Sequence, residues 1–169
     1  MKIRKGRPAE LPRLLELVEA AIADLEARQI HQWDADYPGP VLGDDLAEGT
    51  LYVQTDKGRI VGCFVLNREQ EAECDARNWR DKNGNAWVLH RLCVHPAYRR
   101  QGIASGFLRF AEQITAEQGC TSIRLDVFAQ NADACRLYER NGYENRGTVC
   151  LEPGHFHCFA FEKVLCRQP

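Results

Sequence analysis

An apolar run from Trp87 to Val94 leads through a basic turn into an amphipathic helix, and this segment constrains the fold more than any other part of the chain. Hydrophobic residues occupy both odd and even positions of the run, which is typical of a central strand covered on both faces. After Pro96 the apolar residues recur with the 3.6-residue period of a helix, which Gly119 ends. We therefore expect a sheet whose central strand passes through a tight turn into a helix.

The remaining elements predict a single mixed domain. A helix is expected to begin at Pro8, a first-turn position that suits proline, and to carry one apolar stripe. That stripe consists of Leu11, Leu14, Leu15, Val18, Ile22 and Leu25. Other helices are predicted at 41–48 and 131–141, and strands at 2–5, 51–55, 60–66, 123–127 and twice between 143 and 165. The order β-α-α-β-β-β-α-β-α-β-β predicts one α+β domain over residues 1–169.

Length, charge and hydropathy exclude several classes of protein. A chain of 169 residues with 44% hydrophobic residues is large enough for one core. The formal net charge of -2 argues against a nucleic-acid partner. No apolar run approaches the ~18 residues of a membrane span, and the N-terminus has no signal-peptide pattern. The expectation is a cytoplasmic protein with neither a membrane nor a nucleic acid as partner.

The eight cysteines are interpreted as reduced side chains, most of them buried. They contain no C-x-x-C pair, and their number is below the ~8–10% typical of disulfide scaffolds. A zinc site built from Cys150, His155, His157 and Cys158 is the alternative, but its spacing matches no standard pattern. No metal is therefore expected.

The turn from Arg99 to Ala104 has the composition of an anion site. The first N–H groups of a helix and the positive end of its dipole attract anions. Gly102 allows a ligand to approach the backbone closely, and two arginines add positive charge. A pyrophosphate group suits this chemistry, although an ordinary basic turn has the same few residues.

Two spaced motifs lie in the second half of the chain. The first is Arg99-x-x-Gly102-x-Ala104 after Leu92-Cys-Val-His-Pro. The second is Asn131-x-x-Ala-x-x-Leu-Tyr-x-x-x-Gly-Tyr143. Together they resemble the signatures of the GNAT family of N-acetyltransferases, with alanine in place of the last glycine of the first motif, and the resemblance covers nearly the whole chain. It implies a GNAT-like, mostly antiparallel sheet of six to seven strands with helices on both faces, and acetyl-CoA as the cofactor.

The resemblance also implies roles for several of the matched residues. The backbone of Leu92, Cys93 and Val94 is expected to pair with the pantetheine arm. The pyrophosphate is expected to be held by the turn and the start of the helix, that is by Arg99, Arg100, Gln101, Gly102, Ile103, Ala104 and Ser105. Asn131 is expected to contact the pantetheine or the nearby backbone. Tyr138 is expected beside the thioester sulfur as the general acid, although a core aromatic residue on a helix would look the same.

Transfer of an acetyl group to an amine also needs a base. His90 lies four residues before Val94, so a regular strand would place both on one face. A histidine with a pKa near 6.5 suits a base at neutral pH. Glu73, Asp75 and Asp126 are rivals for this role.

The acceptor pocket is expected in the parts of the chain outside these motifs. Candidate substrate contacts are Trp33, Tyr37 and Trp79, together with the final hairpin that holds His155 and His157. Surface packing or a homodimer contact would explain the same aromatic residues. The favoured function is direct transfer of an acetyl group to a small-molecule primary amine. The alternatives are acetylation of protein N-termini or lysines, and a non-catalytic acyl-CoA-binding or regulatory domain.

Overall fold

The computed structural model describes residues 2–70, 78–82, 84–151 and 156–165. Its strands are β1 Ile3–Lys5, β2 Leu51–Asp56, β3 Arg59–Asn67, β4 Ala86–Val94, β5 Ser122–Phe128, β6 Glu144–Leu151 and β7 Phe156–Val164. Its α-helices are α1 Leu11–Ala27, α2 Leu42–Glu48, α3 Ile103–Ala116 and α4 Ala132–Arg140. This order is the predicted one. Within the described ranges, no helix is long and apolar enough to cross a membrane.

The strands form one seven-stranded sheet in the order β1-β2-β3-β4-β5-β7-β6. The pairs β1–β2, β2–β3, β5–β7 and β6–β7 are antiparallel. β4 and β5 run parallel and pair over Ala86–Val88 and Ser122–Arg124. A parallel pair needs a crossover, and α3 supplies it. The predicted α+β class with a mostly antiparallel sheet is therefore confirmed.

Contacts between residues divide the chain into two compact units. Unit one consists of residues 1–66 and 90–107, and unit two of residues 67–89 and 108–169. β4 and α3 each contribute residues to both units. The single domain predicted over residues 1–169 stays a prediction.

The core of unit one is built around the apolar face of α1. Leu14, Val18 and Leu25 of the predicted stripe are buried, and the other three members of the stripe are partly buried. Leu17 and Ala21 are buried as well, although the sequence analysis did not assign them to the stripe. The buried face of α1 is therefore wider than one helical stripe, because α1 packs against both α2 and the apolar strand residues Leu51, Val53, Ile60, Cys63 and Val65.

Gly62 on β3 lies at a close approach within this core. A Cβ there would stand 2.8 Å from the Cys93 carbonyl oxygen and 2.9 Å from the Phe107 ring. We expect Gly62→Ala to lower the free energy of unfolding by about 1–3 kcal/mol, the usual cost of overpacking. Urea denaturation measures this. Gly106→Ala on α3 is the matched control, because a Cβ there meets nothing within 4 Å and a helical alanine gains about 0.5–1 kcal/mol. Equal midpoints for the two variants would contradict the close approach.

A buried polar network organises unit two. The Glu162 carboxylate accepts hydrogen bonds from the backbone N–H of Arg80 at 2.6 Å and from Nε of Arg124 at 3.3 Å. The Asp81 carboxylate accepts a hydrogen bond from the hydroxyl of Ser122 at 2.9 Å, and the backbone carbonyl of Asp81 accepts one from Arg124 at 2.8 Å. These bonds satisfy buried charges that would otherwise be costly. They fix the segment before β4 to β5 and β7.

The cysteines of the described residues are free. Cys63, Cys93, Cys120 and Cys158 are buried, and Cys150 is exposed. In that part of the chain, no group of three or more histidine, cysteine, aspartate or glutamate side chains is arranged to hold a metal ion. His155 of the alternative zinc site lies outside the described residues.

Candidate active site

The turn before α3 has the backbone of an anion site. Arg100 and Gly102 both adopt left-handed conformations, with φ of +61° and +78°. The N–H of Gly106 donates to the carbonyl of Gly102 at 2.9 Å, so the hydrogen bonding of α3 begins at this glycine. The preceding N–H groups therefore form the positive end of a helix of 14 residues. A Cβ on Gly102 would meet nothing within 4 Å, which leaves this face of the turn open to a ligand.

The side chains of the turn differ in what they are able to do. Nη1 of Arg99 donates to Oδ2 of Asp24 at 2.6 Å, so the guanidinium of Arg99 is already engaged with a carboxylate. Arg100 and Gln101 are exposed, and the Gln101 amide donates to the Ala97 carbonyl at 3.4 Å. Arg100 is therefore the better candidate for a direct charge contact with a pyrophosphate. Arg99 stays a predicted cofactor residue whose side chain contacts the protein itself.

Side-chain contacts hold His95 and Tyr98, which lie just before the turn. The Tyr98 hydroxyl donates to Oδ2 of Asp56, at the end of β2, at 3.3 Å. Nδ1 of His95 accepts from the Ala97 N–H at 3.2 Å, and the His95 ring meets the edge of Tyr98 with centroids 5.9 Å apart. The turn is therefore held by side chains that the motif itself does not include.

The C-terminal half of β4 is predicted to bind the pantetheine arm through its backbone rather than through its side chains. The Cys93 side chain is buried in the core of unit one, while Leu92 and Val94 are half-buried. A hydrogen bond with the Cys63 thiol and then burial raise the pKa of the Cys93 thiol well above its ordinary value. Cys93 is therefore a poor nucleophile at neutral pH. Its predicted contribution to pantetheine binding remains that of its backbone.

Arg91 interrupts β4 with a left-handed φ of +51°. The guanidinium of Arg91 makes two hydrogen bonds to the buried Asp45 carboxylate, at 2.6 and 2.9 Å, and donates to the Tyr37 hydroxyl at 3.2 Å. A strained residue held by such a pair is a feature of functional sites. This cluster was not predicted from the sequence, because the burial of Asp45 becomes visible only in the structure.

The same interruption removes the geometric argument for His90. Placing His90 and Val94 on one face assumed regular alternation, but a left-handed residue between them breaks that alternation. His90 is half-buried and makes an interaction of its own within the described residues. His90 remains a hypothesis for the base, but the alternation of side chains along β4 no longer supports it. Its rivals Glu73 and Asp75 lie outside the described residues.

The three predicted substrate contacts have different environments. Tyr37 is 39% exposed and is held by Arg91, and Trp33 is partly buried against the core of unit one. Trp79 is only 3% exposed, and the Arg124 guanidinium lies 4.5 Å from the centre of its ring. Packing against Ala160 and the polar network of unit two buries this side chain, and its predicted contact with a substrate stays a prediction. Of the final hairpin, His157 is exposed, and His155 lies outside the described residues.

Asn131 forms the N-terminal cap of α4. Its side-chain oxygen accepts from the N–H of Ala134 at 3.2 Å, and Asn131 is buried. This is a normal cap geometry for asparagine. Of the two roles expected for Asn131, this side chain takes the contact with nearby backbone, which fixes the start of the helix that carries Tyr138.

Tyr138 is buried in an aromatic cluster of unit two. Its ring packs against Tyr143 and Phe161, with centroids 6.0 and 5.9 Å apart. Burial, then the nearby Asp126 carboxylate and the Cys135 thiol, raise the pKa of Tyr138 far above its ordinary value of 10.0. The hydroxyl is therefore protonated at neutral pH, as a proton donor must be. Asp126 shares the half-buried face of β5 with Arg124, opposite the buried Ile123, Leu125 and Val127, so the predicted alternation of this strand is confirmed.

The two buried tyrosines make stability sensitive to alkali. Burial, and after it the Glu112 carboxylate, also raise the pKa of Tyr143 well above its ordinary value. A raised pKa in the folded state stabilises the fold fully below the unfolded pKa of about 10, and this contribution is lost as the pH rises from there. We expect each tyrosine to remove about 1.4 kcal/mol of unfolding free energy per pH unit above pH 10. Urea denaturation between pH 8 and 11 measures this slope, and Tyr143→Phe should reduce it. An unchanged slope in that variant would contradict the prediction.

Comparison with known proteins agrees with this arrangement. The sequence model of the acetyltransferase (GNAT) family matches residues 15–143. A curated relative is the thialysine N-epsilon-acetyltransferase of Bos taurus, 31% identical over 90 residues, which are 53% of this chain and 49% of that protein. The match thus spans about half the length of that relative.

Solved structures show the same fold. A GNAT-family acetyltransferase from Streptococcus agalactiae 2603 has a TM-score of 0.81 at 21% identity, over 96% of this chain and 94% of that chain. The PaiA N-acetyltransferase from Thermoplasma acidophilum, solved in complex with coenzyme A, has a TM-score of 0.73 at 21% identity, over 96% and 98% of the two chains. The family match covers more than half of the sequence, and both motifs lie within it or end at its boundary. The chain belongs to the acetyltransferase (GNAT) family.

Proposed function

We propose that this protein transfers an acetyl group from acetyl-CoA directly to a primary amine on a small molecule. The observation that carries the proposal is the turn before α3, whose left-handed residues Arg100 and Gly102 lead into the positive end of a long helix. The GNAT family uses acetyl-CoA as its acyl donor. The acceptor class is supported by the Bos taurus relative, whose name gives a small amino compound as its substrate.

The residues of the turn fit a bound pyrophosphate. The backbone N–H groups from Arg100 to Ser105 are the proposed donors, and the exposed Arg100 adds positive charge. Gly102 has no side chain to fill the open space beside it. The backbone of residues 92–94 is the proposed partner of the pantetheine arm. Acetyl-CoA, when bound, supplies an activated thioester carbonyl.

The proposed reaction needs a base for the amine, a hydrogen-bond donor to the developing oxyanion and a proton donor to the leaving sulfur. A lysine-like amine is neutral only about 0.04% of the time at pH 7, and an α-amine about 10%, so a base must take a proton from the acceptor. His90 and Asp126 are the described candidates for this base. The backbone N–H of Val94 is the proposed donor to the carbonyl oxygen, where negative charge develops. Tyr138 is the proposed donor to the sulfur as the carbon–sulfur bond breaks.

A turnover assay tests this proposal. Release of the free coenzyme A thiol is followed with acetyl-CoA and separate pools of small amines, peptides with free N-termini and peptides with internal lysines. We expect release above background with the small amines. Turnover confined to a peptide pool would overturn the acceptor class. Tight binding of coenzyme A with no turnover in any pool would instead support a binding or regulatory domain.

A further inference from the structure

We propose that Asp24 is a positioning residue for the cofactor turn, because it holds the side chain of Arg99 and thereby keeps the following backbone in the shape that receives a pyrophosphate. This inference rests on the proposed function. It assigns a role in cofactor binding to a residue of α1, which lies outside both sequence motifs.

The carboxylate of Asp24 makes short contacts with two arginines, Arg99 and Arg28. Oδ2 of Asp24 accepts from Nη1 of Arg99 at 2.6 Å, and the same oxygen accepts from Arg28 at 3.0 and 3.1 Å. The side chains of Asp24 and Arg99 are 28% and 33% exposed. One carboxylate thus joins two guanidinium groups at the C-terminal end of α1.

The position of Arg99 in the chain gives this contact its consequence. Arg99 directly precedes Arg100, whose left-handed conformation is unfavourable for a residue with a side chain. Such a residue persists only when its neighbours hold it. Tyr98 is fixed to Asp56 on β2, and Arg99 is fixed to Asp24 on α1, so two successive residues are anchored just before the turn.

Charge alone predicts the opposite effect of Asp24. Asp24, Arg28 and Arg99 together carry one net positive charge, and removing the carboxylate would raise this to two. An added positive charge beside the turn should tighten the binding of an anion. If Asp24 positions the turn, its removal should weaken binding. The two roles therefore differ in the sign of the effect.

The test is Asp24→Asn, which removes the charge and keeps the shape. We expect the Kd for coenzyme A and the KM for acetyl-CoA to rise about tenfold, while kcat at saturating acetyl-CoA stays unchanged. S-acetyl-pantetheine lacks the pyrophosphate, so kcat/KM for this truncated donor should not change. Glu26→Gln is the matched control, since it makes the same change of charge on an exposed position of α1. It should leave the Kd for coenzyme A unchanged or slightly lower.

A double variant shows whether Asp24 acts through Arg99. In an Arg99→Gln background, Asp24→Asn should weaken coenzyme A binding no further, because the contact is already lost. Tighter or equal binding of coenzyme A by Asp24→Asn would overturn the positioning role, and so would an additive loss in the double variant. A parent protein that does not bind coenzyme A at all would instead overturn the proposed function.

Discussion

Tyr138→Phe should lower kcat by about 10²- to 10⁴-fold while the KM for acetyl-CoA stays near that of the parent. The substitution removes one hydroxyl and keeps the ring, so the packing against Tyr143 and Phe161 is preserved. In the proposed mechanism, the hydroxyl of Tyr138 is needed mainly as the thiolate leaves. Burial, then the nearby Asp126 carboxylate, raise the pKa of Tyr138, so the hydroxyl carries its proton at neutral pH. Steady-state kinetics with an identified acceptor measure the effect.

Tyr143→Phe is the matched control for this prediction. Tyr143 lies in the same aromatic cluster, is equally buried and loses the same group, but it has no proposed role in the reaction. We expect its kcat to stay within a few fold of the parent value. A similar loss in both variants would show that the aromatic cluster supports the fold and that Tyr138 is a core residue. A Tyr138→Phe variant with full activity would remove the proton donor from the mechanism.

The elements of the fold were predictable because their patterns are local. The stripe of α1 and the alternation of β5 each follow from the spacing of apolar residues within one element. The turn between β2 and β3 has left-handed conformations at Lys57 and Gly58, which is typical of a two-residue hairpin loop. Each of these features depends on residues that are close together in the sequence.

The contacts that sequence analysis missed join residues that are far apart in the chain. Asp24 and Arg99 are 75 positions apart, and Arg91 and Asp45 are 46 apart. Periodicity carries no information about such pairs. Trp79 has polar neighbours in the sequence, and one of them, Arg80, donates its backbone N–H to Glu162 in the network beside which Trp79 is buried. Within this segment Trp79 and Asp81 are buried by partners on β5 and β7, whereas Asn78, Arg80 and Lys82 stay exposed.

The left-handed residue in β4, at the candidate site, was likewise not predictable from the sequence. Arg91 looks like an ordinary strand residue in the sequence, but it has a φ of +51° and forms an ion pair with Asp45 of α2. The face occupied by His90 could not be derived without it. The cofactor motif was easier to interpret, because its residues lie close together in the sequence and, with the second motif, resemble a family signature.

Gly102→Glu should abolish coenzyme A binding and leave the protein folded. A side chain there enters the open space beside the turn, where the pyrophosphate is proposed to bind, and its negative charge repels the phosphates. In the parent, coenzyme A at one hundred times its Kd should stabilise the folded state by about 2.7 kcal/mol, since it binds only that state. A thermal-shift titration measures this gain, which should vanish in Gly102→Glu.

The matched control is Gly119→Glu, just after the end of α3. Gly119 has a φ of +73° against +78° for Gly102, and it also has nothing within 4 Å of its Cβ position. Both variants carry the same backbone strain and the same added charge, so a difference between them reports the ligand site. If Gly102→Glu responds to coenzyme A as Gly119→Glu does, the turn before α3 does not hold the pyrophosphate.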